Sequence, residues 1–281
     1  MKLLRVGPVG QEKPVVMDTA GNLRDIEEPE IDGAFLASGG VARVRDALER
    51  GDLPIVDAEG LRIGPPVARP GKIVCIGLNY SDHAAETGAD LPAEPVVFMK
   101  APNTVVGPYD EVLVPRGSVK TDWEVELAVV IGQTCRYLES REEALSKIAG
   151  YAVANDVSER EFQIERGGQW DKGKSCETFN PLGPWLVTAD EVGDPQGLGM
   201  RLWVNGELRQ SGHSENMVFD VAEIVRYLSR FMVLEPGDVI NTGTPAGVAM
   251  GLPGQPYLRA GDVMELEIDG LGRQRQTVGQ A

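Results

Sequence analysis

Two glutamates two positions apart, Glu124 and Glu126, and an aspartate thirty residues further on, Asp156, are the side chains best spaced for chemistry. The glutamates lie in the run 122–131, which alternates and is rich in β-branched residues, so it reads as a strand. Residues two apart on a strand share a face. Glu124 and Glu126 therefore project together, and Ala128 and Val130 follow on the same face. A face that turns apolar is entering the protein interior. Asp156 ends a second apolar run, 150–156. Three carboxylates converging at strand ends need a counter-charge, because unpaired buried anions are costly. A hard divalent cation with oxygen ligands, Mg2+ or Mn2+, supplies one. The same residues also fit a plainer arrangement, a half-exposed strand and a helix-capping aspartate.

Only two histidines are present, His83 and His213, and no Cys or His cluster has the spacing of a zinc site. Ser81 or Asp82 makes a good N-cap, so His83 begins a short helix with Glu86 one turn later on the same face. A carboxylate oriented on an imidazole is half of a general-base device. A capped surface helix with an incidental ion pair has the same sequence. The segment after Asp156 reads as a short helix with Arg160 and Gln163 one turn apart. The string Gly168–Ser175 matches the phosphate-binding pattern GxxxxGK[ST] literally. No apolar strand precedes it, and 180–184 (NPLGP) stands where the helix should run, so the match is accidental. Lys174 is left as a charge stabiliser or a solvated loop lysine. Segment 242–248 (TGTPAGV) combines glycines with threonine hydroxyls able to grip a carboxylate, or is a structural turn.

The elements that must position these residues are set by a chain of 281 residues with 27 basic and 43 acidic side chains. A net charge of -16 argues against a nucleic-acid or anionic-membrane partner. Cys75, Cys135 and Cys176 are odd in number and far apart, a reduced, cytoplasmic pattern. The N-terminus lacks the apolar core of a signal peptide, and no apolar run approaches a membrane span. The Pro- and Gly-rich stretch 64–71 marks a boundary between a small N-terminal domain, 1–70, and a larger one, 71–281. An amphipathic helix is expected at 41–48, and further helices at 141–148 and 221–231. The similar turns 235–238 and 259–262 each launch a strand. Trp123, Trp185 and Trp203 are expected in the core. Strands interspersed irregularly with helices favour an α+β fold with a mixed, largely antiparallel sheet system.

Taken together, these segments resemble the fumarylacetoacetate hydrolase family. The matching stretches are 77–80 (GLNY) with His83 and Glu86, 98–100 (FMK), 124–127 (EVEL), 155–160 (NDVSER), 174–175 (KS) and 242–245 (TGTP), in the family's order from about Gly71 to the C-terminus. The resemblance implies a mixed β-sandwich roll with a small N-terminal domain, and a homodimer or dimer of dimers. It implies that Glu124, Glu126 and Asp156 bind Mg2+ or Mn2+. His83 and Glu86 would be a water-activating dyad on a lid, and Lys174 would stabilise developing negative charge. Lys100, Arg160, Gln163 and Thr244 would hold oxygens of a small keto-acid substrate. Glu161 beside Arg160 leaves open which of the two faces the pocket.

Within the family, the insert 163–174 resembles the bacterial 2,4-diketo-3-deoxy-L-rhamnonate or L-fuconate hydrolases, whose relatives often carry the name ureidoglycolate lyase. Its polar residues Gln163, Arg166, Gln169 and Lys172 are expected to meet substrate hydroxyls. The implied reaction is hydrolysis of the C3–C4 bond of a 2,4-diketo acid to pyruvate and a hydroxy acid such as L-lactate. A ureidoglycolate lyase, another acylpyruvate hydrolase, an isomerase or decarboxylase on the same site, and a non-catalytic binding protein are the alternatives.

Overall fold

The run that carries the two glutamates forms the strand Val125–Ile131, and all of it is buried. In a computed structural model of the chain, which describes residues 1–82 and 91–281, this strand lies near the middle of the largest sheet. It pairs antiparallel with Ile148–Asn155 on one side and Val239–Asn241 on the other. Beyond Val239–Asn241 come Ile73–Gly77, in parallel, and then Val96–Lys100. Beyond Ile148–Asn155 come Asn180–Thr188, Lys2–Val6, Lys13–Met17 and Leu23–Asp25. The expected domain 1–70 thus places its strands in the main sheet.

Alternation sends the two faces of Val125–Ile131 into different cores. Val125, Leu127, Val129 and Ile131 pack toward a second sheet that contributes Met200, Leu202, Met264 and Leu266. Ala128 and Val130 pack instead with Phe35, Leu36 and Val44 of the N-terminal region. A sheet covered on both faces reads as a continuous apolar run, and this strand does so after Glu126. The second sheet has the order Glu207–His213, Gly199–Val204, Val263–Ile268, Gly272–Gln280, Val112–Val114. The result is an α+β architecture of stacked mixed sheets.

Buried amides join the two sheets. Gln274 Nε2 donates to the carbonyls of Val153 (2.7 Å) and Gly183 (3.0 Å). Val125 N donates to Gln210 Oε1 at 2.9 Å, and Asn155 Nδ2 to Gln276 Oε1 at 3.3 Å. Gln274 satisfies backbone groups where the ladder between Ile148–Asn155 and Asn180–Thr188 slips register, between Tyr151 and Val153. A buried backbone group left unpaired would be destabilising.

The expected helices form over Gly40–Arg50, Arg141–Ser146 and Val221–Leu228. Ser140 and Asp220 cap the last two by accepting from Glu143 N and Glu223 N. The two similar turns close alike: Asp238 and Asp262 accept from Glu235 N and Arg259 N, each at 2.7 Å. Gly237 and Gly261 supply the positive φ, 89° and 97°. Two expectations are corrected. The segment after Asp156 first forms a two-residue strand, Ser158–Glu159, against Thr121–Asp122, and only then a π-helical turn, Glu161–Glu165. Of the tryptophans expected in the core, Trp123 is fully buried and Trp185, half-buried under Lys2, packs against the core, whereas Trp203 lies half-buried beneath Arg273 outside it.

Gly150 lies where Ile148–Asn155 and Asn180–Thr188 approach most closely, and a Cβ there would run into the Val187 carbonyl oxygen. Gly150→Ala is expected to destabilise the protein by about 1–3 kcal/mol, the usual range for overpacking. Urea unfolding checks this: the midpoint should fall with little change in slope, and an unchanged midpoint would show that the strands can part without cost.

Candidate active site

Register brings the three carboxylates together. Val125 stands opposite Asn155, so Glu124 and Asp156 meet where the two strands end. Asp156 N donates to Glu124 O at 2.9 Å, and Glu124 N to Asn155 Oδ1 at 3.1 Å. Carboxylate oxygens of Glu124, Glu126 and Asp156 lie within 4.8 Å of one another, and all three residues are buried.

Cations from three other segments hold this cluster. Lys174, in the short helix Asp171–Lys174, bridges Glu124 Oε2 (2.8 Å) and Asp156 Oδ2 (2.7 Å). Lys100, at the end of Val96–Lys100, bonds Asp156 Oδ1 and donates to Val157 O at 3.1 Å. Arg160 reaches Asp122 through Nε (2.8 Å) and Glu124 through Nη2 (2.7 Å). Its Nη1 donates to Gln163 Oε1 at 3.0 Å. Burial alone would lower the basicity of Lys174, but Asp156 and Glu124 outweigh it and raise the pKa. The same balance, against Asp122 and Glu124, keeps Arg160 charged.

Glu126 stands apart. It accepts from Gly243 N at 2.8 Å, and among the described residues no cation pairs with it. Burial first, and then the charges of Asp156 and Glu124, push its pKa well above the ordinary 4.5. Among the described residues the cluster therefore sets Asp122, Glu124, Glu126 and Asp156 against Lys100, Arg160 and Lys174, one positive charge short. A proton on Glu126 supplies that charge, and so does a bound cation. The all-oxygen donor set fits a hard dication such as Mg2+ or Mn2+, and Glu124, Glu126 and Asp156 could hold it. A dication would turn the deficit into a net positive charge suited to a keto-acid carboxylate.

A cavity of about 190 Å³ opens beside the cluster, and Glu124, Glu126, Arg160, Gln163, Lys174 and Thr244 line it. The sequence-expected residues separate here. Lys100 lies behind Asp156 and does not line the cavity. Thr244 lines it, but its hydroxyl donates to Val125 O (2.9 Å) and accepts from Gln210 Nε2 (2.8 Å). Glu161 pairs with Arg166 at the surface, so Arg160 is the member of that pair that faces the cavity. His83 and Glu86 lie outside the described residues. His213 is at the surface beside Glu215.

The residues expected to meet substrate hydroxyls are placed differently. Arg166 bonds Glu161, Gln169 bonds Asp171 and Lys172 bonds the Arg166 carbonyl, all exposed. Of that group only Gln163 reaches the cavity, so the polar loop satisfies itself at the surface.

Asp122 was not anticipated. It anchors Arg160 and accepts from Ala249 N (2.7 Å) and Met250 N (3.1 Å). Its place two residues before Glu124 continues the same alternation, which was the signal available for it.

A family model described as "Fumarylacetoacetate (FAA) hydrolase C-terminal" matches residues 72–279. The chain belongs to the fumarylacetoacetate hydrolase family. A Burkholderia multivorans protein named provisionally as a hydrolase is 56% identical over 279 residues, covering 98% of each chain. A fumarylacetoacetate hydrolase from Exiguobacterium antarcticum superposes with TM-score 0.85 at 35% identity over 100% of both chains. Maleylpyruvate hydrolase from Sphingobium sp. SYK-6, solved with manganese(II) and pyruvate, superposes with TM-score 0.80 at 30% identity, also over 100% of both. Another matched structure, from Mycobacterium marinum, is named 2-hydroxyhepta-2,4-diene-1,7-dioate isomerase.

The position of Glu126 generates a pH prediction. Its folded-state pKa is raised, so its contribution to stability is full below about 4.5 and is lost as pH climbs toward the raised value. In chelator-treated protein, Glu126→Gln is expected to melt above the wild type at pH 8, with the gap closing toward pH 4. Saturating Mn2+ should then raise the melting temperature of the wild type but not of the variant, because binding to the native state alone stabilises it. Equal stabilisation of both proteins by Mn2+ would remove Glu126 from the ligand set.

Proposed function

We propose that this protein is a divalent-metal-dependent hydrolase that cleaves the C3–C4 bond of a 2,4-diketo acid and releases pyruvate. The observation that carries this reading is the buried carboxylate triad, two of whose members, Glu124 and Glu126, line a cavity together with Lys174 and Arg160. The manganese and pyruvate bound to the Sphingobium relative support it.

When bound, Mg2+ or Mn2+ would supply Lewis-acid polarisation of the 2-keto acid end. The roles of the chain's own residues then follow. Water adds to the C4 carbonyl, the C3–C4 bond breaks, and its electron pair leaves on C3 as the enolate of pyruvate. Protonation at C3 gives pyruvate, and C4 departs as a carboxylic acid, so one water is consumed per substrate. His83, oriented by Glu86, is assigned the proton removed from that water, on the family resemblance. Lys174, fixed as a cation between Glu124 and Asp156, is positioned to stabilise the enolate charge. Arg160 is held in place by Asp122 and pairs with Glu124. The 2,4-diketo-3-deoxy-L-rhamnonate or L-fuconate substrate expected from the sequence lies within this reaction class, but the outward-facing loop 166–172 gives it no support.

Purified enzyme with Mg2+ or Mn2+, offered a panel of 2,4-diketo acids and ureidoglycolate, is expected to release pyruvate and no glyoxylate. His83→Ala should lower kcat by roughly 10²–10⁴, the range for a positioned acid–base group, with metal affinity retained. Glyoxylate and urea formed at a higher kcat/KM would replace the hydrolase with a lyase. An isomerised diketo acid without pyruvate would replace it with an isomerase.

A further inference from the structure

The cavity has two unlike sides. Every polar liner is tied to the carboxylate cluster: Lys174 and Arg160 bond Glu124, Gln163 bonds Arg160, and Thr244 bonds the backbone between Glu124 and Glu126. The rest of the described wall is apolar apart from the Trp170 indole N–H, from Ile76, Leu78, Phe98, Ile164, Trp170 and Met250. Resting on the 2,4-diketo acid reading, we infer that the group the substrate carries beyond C4 is an uncharged hydrocarbon, alkyl or aryl, rather than a polyol or a second carboxylate.

Three features show that the apolar side is built rather than left over. Trp170 packs edge-on to Phe98, with ring centroids 5.3 Å apart. Its indole lies so close over Gly77 that a Cβ there would come within 2.6 Å of the ring, so glycine makes room for this wall. Leu78 lines the cavity with φ at 54°, a conformation that costs a leucine energy and a glycine nothing. A side chain retained against backbone strain points to a function at that spot. Ile164 lines the same cavity while 47% exposed, which extends the hydrocarbon surface to the mouth.

Among the described residues the charged alternatives lack a free partner on this wall, and the polar ones find only the Gln163 amide nitrogen and the Trp170 indole N–H. The cations among its described residues, Lys174 and Arg160, are committed to Glu124, Asp156 and Asp122. A terminal carboxylate would enter the cavity without a counter-charge. Substrate hydroxyls would lose water against Phe98, Trp170 and Met250 with little to bond in exchange.

A chain-length series tests the inference on full-length enzyme loaded with Mn2+. Acylpyruvates with methyl, propyl, pentyl and phenyl groups on C4 are compared with a 2,4-diketo-3-deoxy sugar acid and with a diketo acid ending in a carboxylate. The kcat/KM is expected to rise about fourfold per methylene until the cavity is full, the value of burying one CH2. The hydroxylated and dicarboxylic substrates should be at least about tenfold poorer than alkyl substrates of equal length. Leu78→Gly keeps the backbone conformation and removes the wall, so it should melt no lower than the wild type and flatten the chain-length dependence. Trp170→Ala should flatten it too. Higher kcat/KM for the polyol or the dicarboxylate would overturn the inference and leave the hydrolase intact. Should no acylpyruvate yield pyruvate, the hydrolase reading fails, and calorimetric binding decides the inference alone. Tighter binding of 2-oxohexanoate than of pyruvate would sustain an apolar subsite, and equal affinities would overturn it.

Discussion

Crowded like charge is the constraint from which the rest of the site follows. Asp122, Glu124, Glu126 and Asp156 are buried within one small region where strands end, and burying an unpaired charge is costly. Lys100, Arg160 and Lys174 answer three of the four. These cations come from separate parts of the chain, so pairing them fixes Val96–Lys100, the turn after Glu159 and the helix Asp171–Lys174 against the strand ends. Removing one partner of such a buried pair typically costs about 3–5 kcal/mol. The walls of the cavity are thus positioned by the need to neutralise its floor. The fourth carboxylate, Glu126, is left as the place where an external charge is wanted.

The sequence made the floor legible because a strand has a rigid period. Glu124, Glu126, Ala128 and Val130 had to share a face, and Asp156 had to sit at the end of a neighbouring apolar run. The helix starts at Arg141 and Val221 were legible, and the structure shows Ser140 and Asp220 capping them. What it hid depends on which distant groups meet. Nothing in the stretch 98–100 says that Lys100 would turn to Asp156 rather than to a ligand. Nothing local says that Arg166 and Lys172 would be used up within their own loop. Polar side chains on a loop look alike whether they face a cavity or water, and tertiary pairing decides between the two. The pairing of the N-terminal strand Lys2–Val6 with Asn180–Thr188 is a contact across most of the chain and leaves no local trace. His83 and Glu86, the dyad expected from the family resemblance, lie outside the described residues, so the base of the mechanism rests on sequence.

The glutamines that cross between the sheets have a consequence for how this protein can vary. Gln274 binds the carbonyls of Val153 and Gly183, and Gln210 binds the amide of Val125, all backbone groups on strands that carry or neighbour the carboxylates. A backbone group cannot mutate away its need for a partner. An apolar replacement at Gln210 would strand the Val125 amide, one residue from Glu124 and Glu126, and one at Gln274 the Val153 carbonyl, three residues from Asp156. The second sheet, which supplies no residue to the cavity wall among those described, therefore carries a chemical constraint of its own. Drift in this family should be freest in loops such as 166–169, and slowest along an inner seam of amides that no substrate touches.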